Sequence, residues 1–360
     1  MANTTQQRLI SADDHMDLNV LPPDLWTSRL PQKFRADAPR VVQAEDGPWW
    51  EANGARISPS GRKAAANKDH GLGFRPGIAK QRLEDMDKDG VYSSVIYGPP
   101  GGIRFPDRAM TDACLVAYND WALEFNSADP NRLLTLALLP GHHPDVAAAE
   151  LLRVAKAGHR GAVIDLFETT VGPLYYPPWE KFWAAANDAG IPIHFHLGGG
   201  AHSLQRAASS WSMPAYVAII PMQMDECLPG MIMSGLLERY PKVKIVLGES
   251  GLGWIPYVIE RMDFEYRNYY ERMKDYRTKE VPSFYWKRQM FATYEEDNFG
   301  LRHIDDIGVG NVMWASDYPH GDTTWPHSQK HIMESPLGQL TEAARRAITC
   351  ENAARVYGIK

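Results

Sequence analysis

The sequence predicts an α/β protein built as a (β/α)8 barrel, a TIM barrel, with a small β-rich insertion after the first strand. Three observations carry this. Short apolar runs alternate with helical stretches along most of the 360 residues, the pattern of a parallel sheet. Eight strand–helix pairs can be read off, which fits a closed barrel in a chain somewhat above the usual ~250 residues. Several of the strands end in His, Asp or Glu, at the end where such a barrel carries its chemistry. The alternative is a doubly wound open sheet; no glycine-rich phosphate loop follows the first strand, which argues against its nucleotide-binding form. Residues 1–360 read as a single barrel domain, with residues 40–77 an insertion or lid within it.

Leu9 to His15 is strand one. Side chains alternate along a strand, so Asp13 and His15 share a face with Ser11, and Asp14 points the other way as a solvated or capping residue. Leu21-Pro22-Pro23-Asp24-Leu25-Trp26 breaks the chain and opens a short helix. From about Arg40 to Gly77, Val41, Val42, Asp46-Gly47, Trp49, Trp50 and Ile57 predict two or three short strands joined by turns, followed by an irregular loop from Asp69 to Gly77. The order then becomes regular. Helical stretches at Ile78–Lys88, Asp107–Ser127, Pro144–Ala157, Trp179–Ala189, Met231–Arg239, Trp254–Met273, Leu301–Ile307 and Leu340–Val356 alternate with strands. Strands two to eight are Val95–Gly98, Leu133–Leu139, Ala162–Leu166, Ile191–Leu197, Val243–Leu247, Met290–Tyr294 and Val312–Ser316. Gly358, just past the last helix, is a stop signal.

Composition narrows the function classes. A net charge of −6 offers no basic face for nucleic acid. The longest apolar stretch, Ala215 to Met222, holds a proline and is far too short to span a bilayer. Cys114, Cys227 and Cys350 are widely spaced and form neither a metal-ligand pattern nor an even framework. Together with a polar Met1–Gln7 that lacks a signal-peptide core, they predict a cytoplasmic protein. Eleven Trp and sixteen Tyr suit either a large core or a cleft for a flat ligand.

The strand ends hold the chemistry. Strand one ends in Asp13 and His15, strand five carries His194 and His196 on its inward face, strand six ends in Glu249 and strand eight in Asp317. Isolated charges in a low-dielectric barrel mouth are costly unless paired or ligated, and a divalent cation supplies the compensating charge. Nitrogen and oxygen donors suit zinc, manganese or iron, and the absence of nearby cysteine argues against a purely structural zinc. His320 follows on the strand-eight loop, able to orient Asp317 or touch substrate. His194 is one layer deeper, as a buried hydrogen-bonded histidine or a pocket residue. Tyr97, Tyr294 and Trp325 line the pocket or belong to the core. His70 and Arg75 meet an anionic substrate if the insertion folds over the mouth.

Taken in this order and spacing, Asp13-x-His15, the histidine closing strand five, Arg239-Tyr240-Pro241, Ser316-Asp317-Tyr318-Pro319-His320 and Glu351-Asn352-Ala353-Ala354-Arg355-Val356-Tyr357-Gly358 resemble the amidohydrolase superfamily. The similarity covers nearly the whole chain and points to the branch that includes aminocarboxymuconate-semialdehyde decarboxylase and related metal-dependent hydrolases. The resemblance implies Asp13, His15, His196 and Asp317 as metal ligands, and a homodimer. The chain departs from the family where Asp13 replaces a frequent histidine, and where Glu249 stands in place of the catalytic histidine often found after strand six. Strand four has no lysine to bridge two metals, so one divalent ion is expected, with zinc preferred over manganese or iron.

Asp13 and Asp317 would neutralise one such ion, leaving an ionised Glu249 in excess. Glu249 is therefore an acid/base group, a ligand for a second metal, or a carboxylate capping the Ser250-Gly251-Leu252 turn. The favoured function is a hydrolase acting by activated water on a small amide, ester, thioester, lactone or carbon–carbon bond, with Asp317 as proton carrier. The alternative is a non-oxidative decarboxylase of an aromatic or muconate-type acid. A barrel that only binds ligand is the reading from another class.

Overall fold

The computed structural model describes residues 8–62, 71–99, 105–166, 169–198, 204, 207, 209–275 and 278–360. Strands at Leu9–His15, Val91–Tyr97, Leu133–Thr135 continuing at Ala137–Leu139, Ala162–Ile164, Ile193–His196, Ile245–Gly248, Met290–Tyr294 and Val312–Trp314 are the eight strands of the barrel. Each pairs in parallel with its neighbour from strand one to strand three and from strand three to strand eight. Leu136, between the two halves of strand three, donates to Ile96 O and keeps the ladder continuous. The seam between strands one and eight closes through Asp317 N to Asp13 O at 3.1 Å and His15 N to Tyr318 O at 2.7 Å. The expected (β/α)8 barrel is the fold observed.

Two layers of apolar side chains follow from strand alternation. Ile10, Ala12, Val95, Leu134, Leu136, Val246, Phe291 and Met313 fill the barrel, closed below by Ala353, Val356, Tyr357 and Ile359 of the last helical segment. Ile96, Ile193, Phe195, Leu247, Tyr294 and Trp314 face outward and join the helices in the larger core. Strand one departs from strict alternation. Its pairing with strand two slips between Ser11 and Asp14, and a bulge of this kind re-aims side chains beside a site. It lets Ile10 and Ala12 enter the barrel core while Asp13 and His15 also reach the mouth. Ser11 turns away from them, to donate to Asp14 Oδ1 at 2.7 Å. Asp14 is not solvated, as the sequence suggested, but buried at 2% exposure.

The insertion is a three-stranded antiparallel sheet, Arg40–Ala44, Gly47–Ala52 and Ala55–Pro59. It is pinned to the barrel by Trp50, fully buried and edge-on to Trp26 at 5.2 Å, and by Gly61 N donating to Asn19 O.

Strand two starts at Val91, four residues earlier than expected, because Ser93 and Ser94 interrupt the apolar pattern although both are wholly buried. The helix expected over Met231–Arg239 is two pieces, Cys227–Met233 and Leu236–Arg239, broken at the left-handed Gly235. Helices at Ser212–Ile219, Pro282–Gln289 and Ser328–Glu334 were not expected. Among the described residues, no helix is long and apolar enough to cross a membrane.

Candidate metal centre

Five side chains from four strand ends converge at the mouth of the barrel. Asp13 is fixed through one oxygen, Oδ2, which accepts from Glu249 N at 2.8 Å and Thr293 Oγ1 at 2.6 Å. Its other oxygen, Oδ1, lies 3.6 Å from both His15 Nε2 and His196 Nε2. His15 Nε2 is 2.8 Å from Asp317 Oδ1 and 4.0 Å from Glu249 Oε2. His196 Nε2 is 3.4 Å from Glu249 Oε2. On its far side, His196 Nδ1 stands 2.8 Å from Leu197 O. A carbonyl only accepts, so the ring proton sits on Nδ1 and the Nε2 lone pair faces the centre, the arrangement of a metal-ligating histidine.

These donors fit a divalent ion. Asp13 Oδ1, His15 Nε2, His196 Nε2 and Asp317 Oδ1 are all buried without a hydrogen-bond partner. Even the 2.8 Å approach of His15 to Asp317 lacks hydrogen-bond alignment. Buried polar atoms are almost always satisfied, and these fall in two triads that share His15, namely Asp13–His15–His196 and His15–Glu249–Asp317, each with its ligand atoms within 4.8 Å, a concentration that calls for positive charge. Two imidazole nitrogens with carboxylate oxygens suit zinc, manganese or iron.

The backbone supports the same reading. Glu249 and Asp317 sit at φ +49° and +58°, two of only three non-glycine residues in the left-handed region among those described. Such conformations cost on the order of 1–3 kcal/mol and gather at functional sites. The turn at strand six is tight: a side chain on Gly248 would place its Cβ 2.8 Å from Tyr97 Oη and 2.9 Å from His196 Cδ2.

The electrostatics follow from burial and crowding. Burial raises the Asp317 carboxyl, but the neighbouring His320 and His15 outweigh it and hold Asp317 well below the usual carboxylate range. Burial lowers His320, yet Asp317 and Asp17 raise it well above an ordinary histidine. Its ring bridges the two carboxylates, Nδ1 at 3.1 Å from Asp317 Oδ2 and Nε2 at 3.1 Å from Asp17 Oδ2, and stacks on His15 at 3.9 Å. Burial, and next the charge of Asp317, push Glu249 up to about 7. Burial opposes protonation of His196, but Asp13 and then Glu249 carry it to about 9. A proton there occupies the negative potential that a cation would otherwise neutralise.

Of the residues expected at the site, the structure brings together Asp13, His15, His196, Glu249, Asp317 and His320. It places the others elsewhere. His194 is fully buried beneath the ligands, Nδ1 at 2.7 Å from Tyr97 Oη, with burial driving it down to about 3 and so keeping it neutral. Tyr97 lies between the two histidines of strand five, its ring 4.7 Å from that of His196. Tyr294 points outward into the helix layer because it occupies the outward register of strand seven. Arg75 is held by Asp85 at 2.8 Å and Glu84 at 2.9 Å, and Trp325 donates to Asp85 O. His70 lies outside the described residues.

Four contributors escaped the sequence reading. Thr293 faces inward one residue before the end of strand seven, and Glu295 follows that strand directly, so the strand-end rule applied to strand seven finds both. Glu295 brings a carboxylate oxygen within 4.8 Å of Asp317 and Asp322, and burial, with the charge of Asp317, pushes it up to about 10. Asp17 and Asp322 lie in irregular segments beyond strand ends, where no periodicity points to them.

Comparison with known proteins gives a consistent picture. A family model described as amidohydrolase matches residues 44–359. Gamma-resorcylate decarboxylase of Rhizobium sp. (strain MTP-10005) is 25% identical over 307 residues, covering 78% of this chain and 87% of the relative. Among solved structures, an amidohydrolase from Mycobacterium avium subsp. paratuberculosis K-10 aligns with a TM-score of 0.78 at 20% identity, covering 98% of each chain. A dihydroxybenzoic acid decarboxylase from Polaromonas sp. JS666, solved with bound manganese and the inhibitor 2-nitroresorcinol, aligns at 0.66 and 18% identity, covering 98% of this chain and 97% of that one.

Proposed function

This chain belongs to the amidohydrolase family, and from that premise we propose that it is a metal-dependent non-oxidative decarboxylase of a hydroxylated aromatic acid. The observation that carries the reading is the pair of donor triads that share His15 at the barrel mouth, with orphaned atoms on every residue but Glu249, beside the Glu249 carboxyl that burial raises to about 7, in a chain with decarboxylases among its relatives. The comparisons back decarboxylation better than the hydrolysis favoured from sequence. That preference rested on the absent strand-six histidine, and Glu249 supplies a proton-carrying group at the same strand end.

Asp13, His15, His196 and Asp317 would hold one divalent ion, manganese or zinc. When bound, it would supply positive charge that polarises the oxygen atoms of the acid. The chain's own groups handle the proton. Decarboxylation requires the ring carbon to gain a proton while the electrons of the breaking carbon–carbon bond return to the ring and carbon dioxide leaves. Glu249, at the rim with Oε2 3.4 Å from His196 Nε2 and raised by burial to about 7 in the metal-free chain, is placed to hold that proton. His320, kept charged between Asp17 and Asp317, fixes the orientation of the Asp317 carboxylate. The same proposal takes the enzyme as a cytoplasmic homodimer, supported by the family resemblance and by three free cysteines.

The test is headspace carbon dioxide from 2,6-dihydroxybenzoate and related hydroxybenzoates, with the manganese- or zinc-loaded protein. Asp317→Asn, which removes one of the four ligands, should lower kcat/KM by roughly a thousandfold or more, the several kcal/mol of charge stabilisation that a bound ion supplies. Turnover of esters or lactones with no carbon dioxide from any acid would restore the hydrolase. An unchanged rate in Glu249→Gln would remove Glu249 as the proton donor.

A further inference from the structure

Directly behind the ligand cluster, on the opposite side of the same strand ends, lies a charged pair that takes no part in the chemistry above. Arg82, from the helix Ala79–Asp89, is fully buried, and its guanidinium lies 3.7 Å from Asp14, itself buried. Asp14 collects donors from three strands. Ser11 Oγ reaches it from strand one, Ser94 Oγ from strand two, and Ser316 Oγ and Tyr318 N from the end of strand eight. Arg82 grips the same two strand ends through their carbonyls, Nη1 donating to His15 O at 2.8 Å and Nη2 to Tyr318 O at 3.4 Å.

The sequence positions are what give this meaning. Asp14 stands between the ligands Asp13 and His15, and Ser316 and Tyr318 flank the ligand Asp317. Both neighbours of Asp317 are thus tied to the pair. Direct backbone bonding across the seam is sparse, with Asp317 N to Asp13 O and His15 N to Tyr318 O as its rungs. Two charges in a dry interior do not stabilise a fold better than apolar side chains of the same volume. What such a pair supplies is fixed geometry, because its partners must stay in hydrogen-bonding position or leave a charge uncompensated.

We infer that Asp14 and Arg82 are positioning residues for the metal centre: a clasp across the barrel seam that sets the separation of Asp13 and His15 from Asp317. The inference rests on the metal reading above. It differs from ordinary core packing in its consequence, since loosening the clasp moves ligands relative to one another even where the fold survives.

The experiment measures manganese affinity of the metal-stripped full-length protein by competition with a chelator, alongside the electron paramagnetic resonance spectrum of the bound ion. Arg82→Met and Asp14→Asn should weaken binding by about 10- to 100-fold, the range found when outer partners of metal ligands are removed, and should broaden the manganese signal. Asn311→Ala, remote from the clasp, serves as a folding control and should bind as the parent does. If Arg82→Met fails to fold, Ser316→Ala, which removes a single hydrogen bond to Asp14, should still weaken binding severalfold. Parent-like affinity and spectrum in whichever of these variants folds would overturn the clasp while leaving the metal site standing. A parent protein that binds no manganese or zinc would overturn the metal site, and the clasp with it.

Discussion

The two ends of the barrel treat buried polar groups in opposite ways. At the base, amide side chains reach several buried carbonyls, though Tyr357 Oη stays without a partner. Asn311 donates to Trp286 O, Lys287 O and Met290 O. Gln289 serves Tyr240 O and Val243 O, and Asn352 serves Val309 O and Val312 O. At the mouth, Asp13, His15, His196 and Asp317 keep atoms buried without partners, and two of the carboxylates sit on left-handed backbone. The base is arranged for stability and the mouth for holding an ion. The same eight strands position both.

That contrast can be broken in three ways. The largest expected effect is at the base. Asn311→Ala leaves buried carbonyls unmet and should lower unfolding stability by about 2–3 kcal/mol, read from urea midpoints, while kcat per folded molecule stays at the parent value. A comparable loss of kcat would show that the two ends are not separate. Next is the mouth itself. Manganese at a hundredfold above its dissociation constant should raise stability by about 2.7 kcal/mol, and His196→Ala should abolish most of that gain. An equal gain in the variant would place the ion elsewhere.

The smallest effect concerns pH in the metal-free protein. The Glu249 carboxyl rises from 4.5 to about 7 on folding, so the folded state prefers its neutral form. Its contribution to stability is fully present below pH 4.5 and is lost as pH rises through about 7. Glu249→Gln should flatten that decline, and an unaltered pH profile would mean the group is not desolvated in the fold.

Much of this was legible in the chain. Most strands are marked by apolar runs, and their ends by His196, Glu249 and Asp317, because barrel strands are mainly apolar on both faces until they leave the core. The rest escaped for identifiable reasons. Alternation assigns a face to Asp14 but does not show what lies behind that face, so a buried acceptor of several hydrogen bonds was taken for a solvated one. The bulge in strand one breaks the period at Ser11, which no count of alternation anticipates. The helix Ser212–Ile219 is apolar on all sides and so has no amphipathic stripe to betray it. Asp17 acts through His320, a partner 303 residues away. The ligand set itself does not separate hydrolysis from decarboxylation, since both need the same positive charge at the same place.

The seam has one more consequence, in the order of assembly. Ser316 and Asp14 meet across 302 residues of chain, and strand eight is synthesised after every other strand. Asp13 and His15 therefore wait through the making of the whole barrel before Asp317 arrives, and the complete centre cannot form on any shorter nascent intermediate. An ion held by Asp13, His15 and Asp317 would link strand eight back to strand one across most of the chain. Such an ion would tighten a seam that the backbone rungs and the hydrogen bonds to Asp14 already close, so its removal should loosen the join between the first strand made and the last without opening the barrel.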